Sequence, residues 1–325
     1  MLNFCTLFDS NYLHFGLALH ASLIKNCQNF HLYIFAFDKK CEDFLKKSAL
    51  KNVTVISLEE FEDEKLLAVK PFRNKGEYCW TSTASTILYV LKNFAVASCT
   101  YIDADIFFFS DPKILLDEMG EKSVLITEHR YPKDHDQAAI SGKYCVQFMC
   151  FKNNEDGLRV LNWWRDRCIE WCYDRFEDGK FGDQKYLDNW TTNFSGVHEL
   201  ENLGGGVAPW NVLQYKFFNK NNKIFGIKKD DGKKFELVFY HFHGFKLLNR
   251  SSVQLAPTDY KIAPDVIANI YKLYLQNIEA AVVLIGDNSD FLSEIKNKDY
   301  SWLRKLNLYL LQTKKNIKPR NGAYN

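Results

Sequence analysis

Apolar and polar positions alternate along the chain with two different rhythms. In the first third, short apolar runs of strand length alternate with stretches whose apolar residues recur at three and four. "NFCTLF" (3–8), "FHLYIFAFD" (30–38) and "VTVISL" (53–58) are rich in β-branched and aromatic residues and predict strands. Between them, "LHFGLALHASLIKN" (13–26) predicts a helix, with Asp9, Ser10 and Asn11 before it as caps. "DKKCEDFLKKSAL" (38–50) predicts an amphipathic helix, and residues 82–94 predict another. "CTYIDADIFFF" (99–109) predicts part of a fourth strand. Such alternation implies an α/β fold, with a mostly parallel central sheet and helices on both faces. Ligands of such sheets bind beyond the carboxyl ends of the strands.

From about Gly142 the rhythm changes. "GKYCVQFMCFKN" (142–153) predicts a strand and "EDGLRVLNWWRDRCIEWCYDRF" (155–176) one long aromatic helix. Trp163, Trp164 and Trp171 recur there at helical spacing, which suits the core. Glycine-rich turns follow, "EDGKFGDQ" and "NLGGGVAPWN". "KFELVFYHFHGF" (234–245) is then a late strand ending in two histidines. From about Ala263 the pattern predicts two or three helices. No internal repeat or linker interrupts the chain, so residues 1–262 are expected to form one domain and 263–325 a helical extension.

Bulk composition changes this picture little. The 325 residues suffice for a large core, and 46% hydrophobic with 25% charged residues is ordinary for a globular protein. A net charge of +2 gives no argument for a nucleic-acid partner. No segment reaches the roughly 18 uninterrupted apolar residues that span a bilayer. The nine cysteines follow no framework spacing, and "MLNFCTLFDS" lacks the basic and apolar regions of a signal peptide. A cytoplasmic setting is expected. Cys168 and Cys172 have the spacing of half a zinc site, but no second pair matches them, so zinc is not expected. Aromatic content of 15% suits a site that grips flat polar ligands such as sugars and bases.

The chemistry concentrates in "TYIDADIFFFSDP" (100–112). Asp103 and Asp105 lie one residue apart, and either a strand or a turn at its end puts their carboxylates together. Two carboxylates that close repel each other unless a cation sits between them. Oxygen ligands favour Mg²⁺ or Mn²⁺, and a histidine ligand tilts the choice toward Mn²⁺. A second stretch, "VFYHFHGFK" (238–246), supplies imidazoles, a close backbone approach at Gly244 and a cation for a phosphate. In "ITEHRYP", Glu128 stands in a polar loop, either solvated or touching sugar hydroxyls. Gln147 within an apolar strand needs a buried partner, either a sugar hydroxyl or a core group. Gly204, Gly205 and Gly206 suit a plain turn, or a loop that closes over a ligand.

Together these stretches resemble nucleotide-sugar-dependent glycosyltransferases of the GT-A fold, and most of all family 8, the glycogenin and bacterial lipooligosaccharide galactosyltransferase type. The resemblance covers most of residues 1–250, in five stretches in order: "FDSNY" (8–12), "YIDADIFFFSDP" (101–112), "GDQKYLDNW" (182–190), "APWN" (208–211) and "HFHG" (241–244). It implies a metal held by Asp103, Asp105 and His241, with His243 as the alternative. Thr6, Asp9, Asn11, Tyr12, Ala104 and Lys246 are implied on the donor side, with Asp103. Asp183 and Gln184 are implied beside the anomeric carbon, and Glu128, Gln147, Gly205 and Trp210 toward the sugar and acceptor. The family's basic residue on the helix before the D-x-D strand is replaced here by Thr86, with Arg73 and Lys75 upstream.

The function implied is metal-dependent transfer of a sugar from a nucleotide diphosphate sugar to a hydroxyl of a surface glycan, of lipopolysaccharide, O-antigen or capsule type, with retention at the anomeric carbon. A lipid-linked acceptor would suit the basic amphipathic tail "SWLRKLNLYLLQTKKNIKPR" (301–320) as a peripheral membrane contact, although packing on the main domain suits it equally. An inverting enzyme would need a general base, for which Glu177 and Asp178 stand in the right region. Two rivals differ in class. A sugar nucleotidyltransferase needs a glycine-rich basic loop after its first strand, which "FCTLFDSNYLHF" lacks. A non-catalytic nucleotide- or glycan-binding protein has no need to keep Asp103, Asp105, Asp183 and His241 together.

Overall fold

A computed structural model describes residues 1–249 and 252–286 of the protein. Its centre is a seven-stranded sheet. In chain order the strands of the described residues are β1 (Leu2–Phe8), β2 (Phe30–Ala36), β3 (Val53–Ser57), β4 (Ser98–Ile102), β5 (Ile106–Phe108), β6 (Val124–Glu128), β7 (Tyr144–Lys152), β8 (Val197–Glu199), β9 (Tyr215–Lys220), β10 (Lys223–Lys228), β11 (Lys234–Glu236), β12 (Phe239–His241), β13 (Lys246–Asn249) and β14 (Ser252–Gln254). The sheet order is β3-β2-β1-β4-β7-β6-β8, and β7 alone runs against the other strands. Strands β4, β6 and β8 therefore end on one edge, at Ile102, Glu128 and Glu199.

The longer helices are α1 (Leu13–Asn26), α2 (Lys39–Ser48), α3 (Lys75–Asn93), α4 (Glu155–Glu170) and α5 (Lys272–Ile285). Side chains sort to the two faces of β1 by its period of two. Phe4 and Phe8 join a core with α1, α2 and α5, whereas Cys5 and Leu7 join one with α3 and α4. Helices thus cover both faces, and the α/β architecture expected from the alternation is present.

Most predicted elements fall in place, with differences that have local causes. Helix α3 begins seven residues before the predicted start, at a capping box in which Asn74 and Glu77 each bond the other's backbone N–H. Its early turns carry small polar residues that hide the apolar period. Helix α4 stops at Glu170 because Trp171 turns extended, with φ −152°. Trp164 is fully buried, while Trp163 stays 37% exposed. The strand predicted at 99–109 breaks at Asp103, and β5 leaves the central sheet to pair antiparallel with β12. The late strand predicted at 234–245 also breaks. Its β11 part pairs with β10 and its β12 part with β5, so Leu237 and Val238 carry the chain from one sheet to the other.

The described part of the C-terminal extension shares the main core. Val266, Ile270, Tyr271, Tyr274 and Ile278 pack in the same cluster as Phe15 and Phe107. The basic amphipathic segment at 301–320 lies outside the described residues. Among the described residues no helix is long and apolar enough to cross a membrane.

Helix α1 packs on the last residue of β1 without room to spare. A Cβ placed on Gly16 would lie 2.2 Å from Phe8 Cζ, and that ring is itself buried. Gly16→Ala should therefore cost about 1–3 kcal/mol in equilibrium denaturation. Unchanged stability would show that the ring can yield.

Candidate active site

The break after β4 builds the site. Asp103 N–H donates to the Gln147 carbonyl (3.0 Å), Ile106 N–H donates to the Asp103 carbonyl (3.2 Å), and Phe242 N–H donates to the Asp105 carbonyl (2.9 Å). These bonds fix a turn through Ala104 between two strands. Register does the rest: His241 on β12 stands opposite Ile106 on β5. Its Nε2 lies 3.1 Å from Asp105 Oδ1 and 3.7 Å from Asp103 Oδ2. One ligand atom from each of Asp103, Asp105 and His241 falls within 4.8 Å of the others. His243 is exposed; its ring lies 5.7 Å from that of His241 and 5.6 Å from that of Trp210, and it is not one of the three grouped ligands.

Charge is strained here without a cation. Burial favours the neutral acid and raises the Asp103 carboxyl. At Asp105 burial acts the same way, but the charge and hydrogen bond of His241 outweigh it and hold the carboxyl low. Burial alone would lower His241, yet Asp105 holds the imidazole well above its usual range. Two carboxylates and one imidazole on half-buried backbone form a donor set that suits a hard divalent ion, with the nitrogen favouring Mn²⁺ over Mg²⁺. Such an ion would take the place of the proton charge on His241.

Asp183 comes from the loop after α4 and is 5% exposed. The Trp164 indole N–H donates to its backbone carbonyl (2.9 Å), and the Thr83 hydroxyl bonds its carboxyl. Burial first, and the charge of Asp103 second, push its pKa up to about 8. Gln184, its neighbour, spends its side-chain amide on the Ser141 carbonyl (2.6 Å). From the other side, Asp9 caps the turn after β1 by bonding both the backbone and the side chain of Asn11. Tyr12, 46% exposed, has its hydroxyl pushed up to about 12 by burial and by the charges of Asp105, Asp103 and Asp9. The Asp9–Tyr12 turn and the acidic pair thus face a common space. Thr6 is fully buried in β1, Ala104 is buried in the turn itself, and Lys246 is exposed at the start of β13.

Several residues take positions that the sequence left open. Gln147 is fully buried, and its Oε1 lies 3.0 Å from His241 Nδ1, so it makes a core hydrogen bond and is not accessible to a sugar. Gly204, Gly205 and Gly206 are packed and do not form a free flap. A Cβ on Gly205 would meet Leu200 at 2.7 Å and Leu115 at 2.9 Å, and Arg130 donates to the Gly205 carbonyl at 2.8 Å. Trp210 donates to the His129 carbonyl (2.9 Å) and sets its ring edge-on to His241. Glu128 faces Glu199, which also binds Lys143 and Tyr144. These two acids line a cavity of about 590 Å³ with Arg130, Tyr131, Gln214 and Lys228, apart from the acidic pair but on the same sheet edge. Glu177 pairs with Arg175 and Trp171. Thr86 bonds the Thr83 carbonyl, and Arg73 stacks on Tyr173.

The sequence reading missed Tyr101, which bonds Asp103, and Thr83, which bonds Asp183. Both left signals. Tyr101 precedes Asp103 by two and so shares its face of the strand. The run Thr81, Ser82, Thr83, Ser85, Thr86 is wholly buried in a helix, where hydroxyls need partners.

No family model matches the chain. It is 30% identical over 282 residues to the uncharacterized protein YfnD of Bacillus subtilis (strain 168), covering 85% of this chain and 88% of that protein. It is also 30% identical over 259 residues to YfnF of the same organism, covering 77% and 84%. Among solved structures, the galactosyltransferase LgtC in complex with donor and acceptor sugar analogs superposes with a TM-score of 0.51 at 10% identity, covering 86% of this chain and 96% of that one. The likeness to LgtC identifies the fold as GT-A.

The proton on Asp183 has a measurable consequence. The unfolded carboxyl loses its proton near pH ~4, whereas the folded one keeps it to about 8. Across that window the folded metal-free protein binds the extra proton, so the contribution of Asp183 to stability falls as pH rises. Asp183→Asn should therefore gain melting temperature relative to the native chain as pH rises through the window. A pH-independent difference would contradict the buried neutral acid.

Proposed function

The chain belongs to the family of the Bacillus subtilis proteins YfnD and YfnF, and we propose that it is a metal-dependent glycosyltransferase. It would move a sugar from a nucleotide diphosphate sugar to a glycan hydroxyl. The observation that carries this reading is the convergence of Asp103, Asp105 and His241 at the carboxyl edge of a GT-A sheet, where ligands of such sheets bind. Mn²⁺ or Mg²⁺ held by those three side chains would neutralise the charge that grows on the diphosphate leaving group. The protein's own groups do the rest. Asp9, Asn11 and Tyr12 would meet the base and ribose from the turn after β1. Lys246, with His243 near it, would add positive charge toward the phosphates.

Asp183 would be the carboxylate that acts at the sugar. It is buried, held by Thr83 and anchored by Trp164, and the nearby charge of Asp103 helps to keep it protonated in the metal-free protein. By the family resemblance the reaction would retain the anomeric configuration, either by front-face substitution or with Asp183 as nucleophile. Acceptor recognition would fall to the Glu128–Glu199 cavity, whose acids, cations and tyrosines suit hydroxyl-rich ligands. A surface glycan, lipid-linked or free, is the acceptor class the resemblance favours.

The test is release of nucleoside diphosphate from a panel of sugar nucleotides, with and without Mn²⁺. One donor should turn over only with metal. Asp103→Asn and Asp105→Asn should each lower that rate about 10²–10³-fold, since a bound ion supplies several kcal/mol of charge stabilisation. Full metal-dependent turnover in both variants would overturn the reading. Turnover of sugar 1-phosphate with a nucleoside triphosphate would instead indicate a nucleotidyltransferase.

A further inference from the structure

We propose that Gln147 is a positioning residue that fixes the proton of His241 on Nδ1, so that Nε2 is the nitrogen presented to Asp103, Asp105 and an ion between them. The inference rests on the metal-dependent reading above and adds a residue to it. Three observations carry it. Gln147 Oε1 lies 3.0 Å from His241 Nδ1, with both side chains buried. The opposite ring nitrogen, Nε2, faces both acids. Gln147 Nε2 is buried and has no hydrogen-bond partner among the described residues.

The third observation decides the role. An amide with both ends satisfied would be ordinary core. Here the donor end is left unpaired, which is costly in a buried position, while the acceptor end is spent on the imidazole. The amide must then be held for its oxygen. A carbonyl oxygen accepts only from a protonated ring nitrogen, so Nδ1 keeps its hydrogen, and it is the Nε2 proton, shared with Asp105, that an ion would replace. The reversed amide would offer N–H to Nδ1, which opposes a proton there and so opposes the form in which Nε2 alone is free for an ion.

The fold supports this placement from both sides. Gln147 and Cys145 alternate on one face of β7, and both meet His241. The Gln147 carbonyl also accepts the Asp103 N–H at 3.0 Å. One residue thus orients the histidine with its side chain and the first aspartate with its backbone. Gly206, with φ +79°, leaves the adjoining space: a Cβ there would meet Thr127 at 2.7 Å and approach Gln147 Nε2 at 3.9 Å.

The test uses the full chain with Gln147→Leu, which keeps the bulk and removes the acceptor, and Gln147→Glu, which keeps an acceptor. Mn²⁺ affinity is read from the electron paramagnetic resonance of free Mn²⁺. Loss of such a supporting group typically weakens metal binding about 10–100-fold, which is the fall expected for Leu, with Glu returning it to near the native value. The second readout needs no metal. Long-range ¹H–¹⁵N spectra of the metal-free protein should show a His241 Nδ1–H held from exchange in the native and Glu forms. In the Leu form that proton should exchange rapidly with water, with His241→Gln supplying its assignment. Native-like Mn²⁺ affinity in Gln147→Leu, an equal fall in Gln147→Glu, or a native His241 with no proton on Nδ1 would each overturn the proposal. If the native chain binds no Mn²⁺ at all, the metal-dependent reading falls, while the spectra still decide where Gln147 places the proton.

Discussion

Two carboxylates one residue apart cannot share a half-buried turn at low cost, and much of the structure is arranged around that constraint. The turn exists because β4 ends at Ile102 and β5 leaves the sheet to pair with β12. That departure brings His241 from more than a hundred residues later against Asp105. In the protein alone the imidazole supplies the positive charge. The arrangement is compact but electrically unfinished: Asp103 is raised toward its neutral form, and Asp183 is pushed further the same way. A divalent ion would relieve all of these together.

The scaffold explains how such a site is tolerated. Its supports come from elements far apart in the chain. Strand β7 supplies Gln147, helix α3 supplies Thr83, and helix α4 supplies Trp164. Each is buried, so each is held by packing on both faces of the sheet. By contrast, the turn at Asp9–Tyr12 and the exposed Lys246 sit where a large ligand can reach them.

How much of this the sequence disclosed follows from how local each signal is. The strands β1 to β3 and helices α1 and α2 were legible because their periods are clean; Asp38 caps α2, whereas α1 starts after Tyr12 with no side-chain cap, and Asp9 caps only the short turn before it. The acidic pair was legible as a pair, and the resemblance supplied its histidine partner. The sequence left open whether Asp103 and Asp105 lie on a strand or in a turn, because apolar residues flank them on both sides, and it is the non-local pairing of β5 with β12 that settles the turn. The same reason hid the break at Leu237. Gln147 illustrates the limit best. A glutamine in an apolar strand announces that it needs a partner, but only the fold shows that the partner is His241. The three glycines looked mobile in the sequence because glycine is permissive. In the fold, close packing against Leu115 and Leu200 is what requires a residue without a side chain.

The account stands or falls on where a divalent ion binds. The most direct measurement is anomalous scattering from a crystal of the protein soaked with Mn²⁺ and a nucleoside diphosphate. A single strong peak among Asp103, Asp105 and His241 Nε2, with density for phosphate beside it, is the predicted result. A peak elsewhere, or none at saturating Mn²⁺, would contradict the account and leave a GT-A fold whose acidic turn serves structure alone.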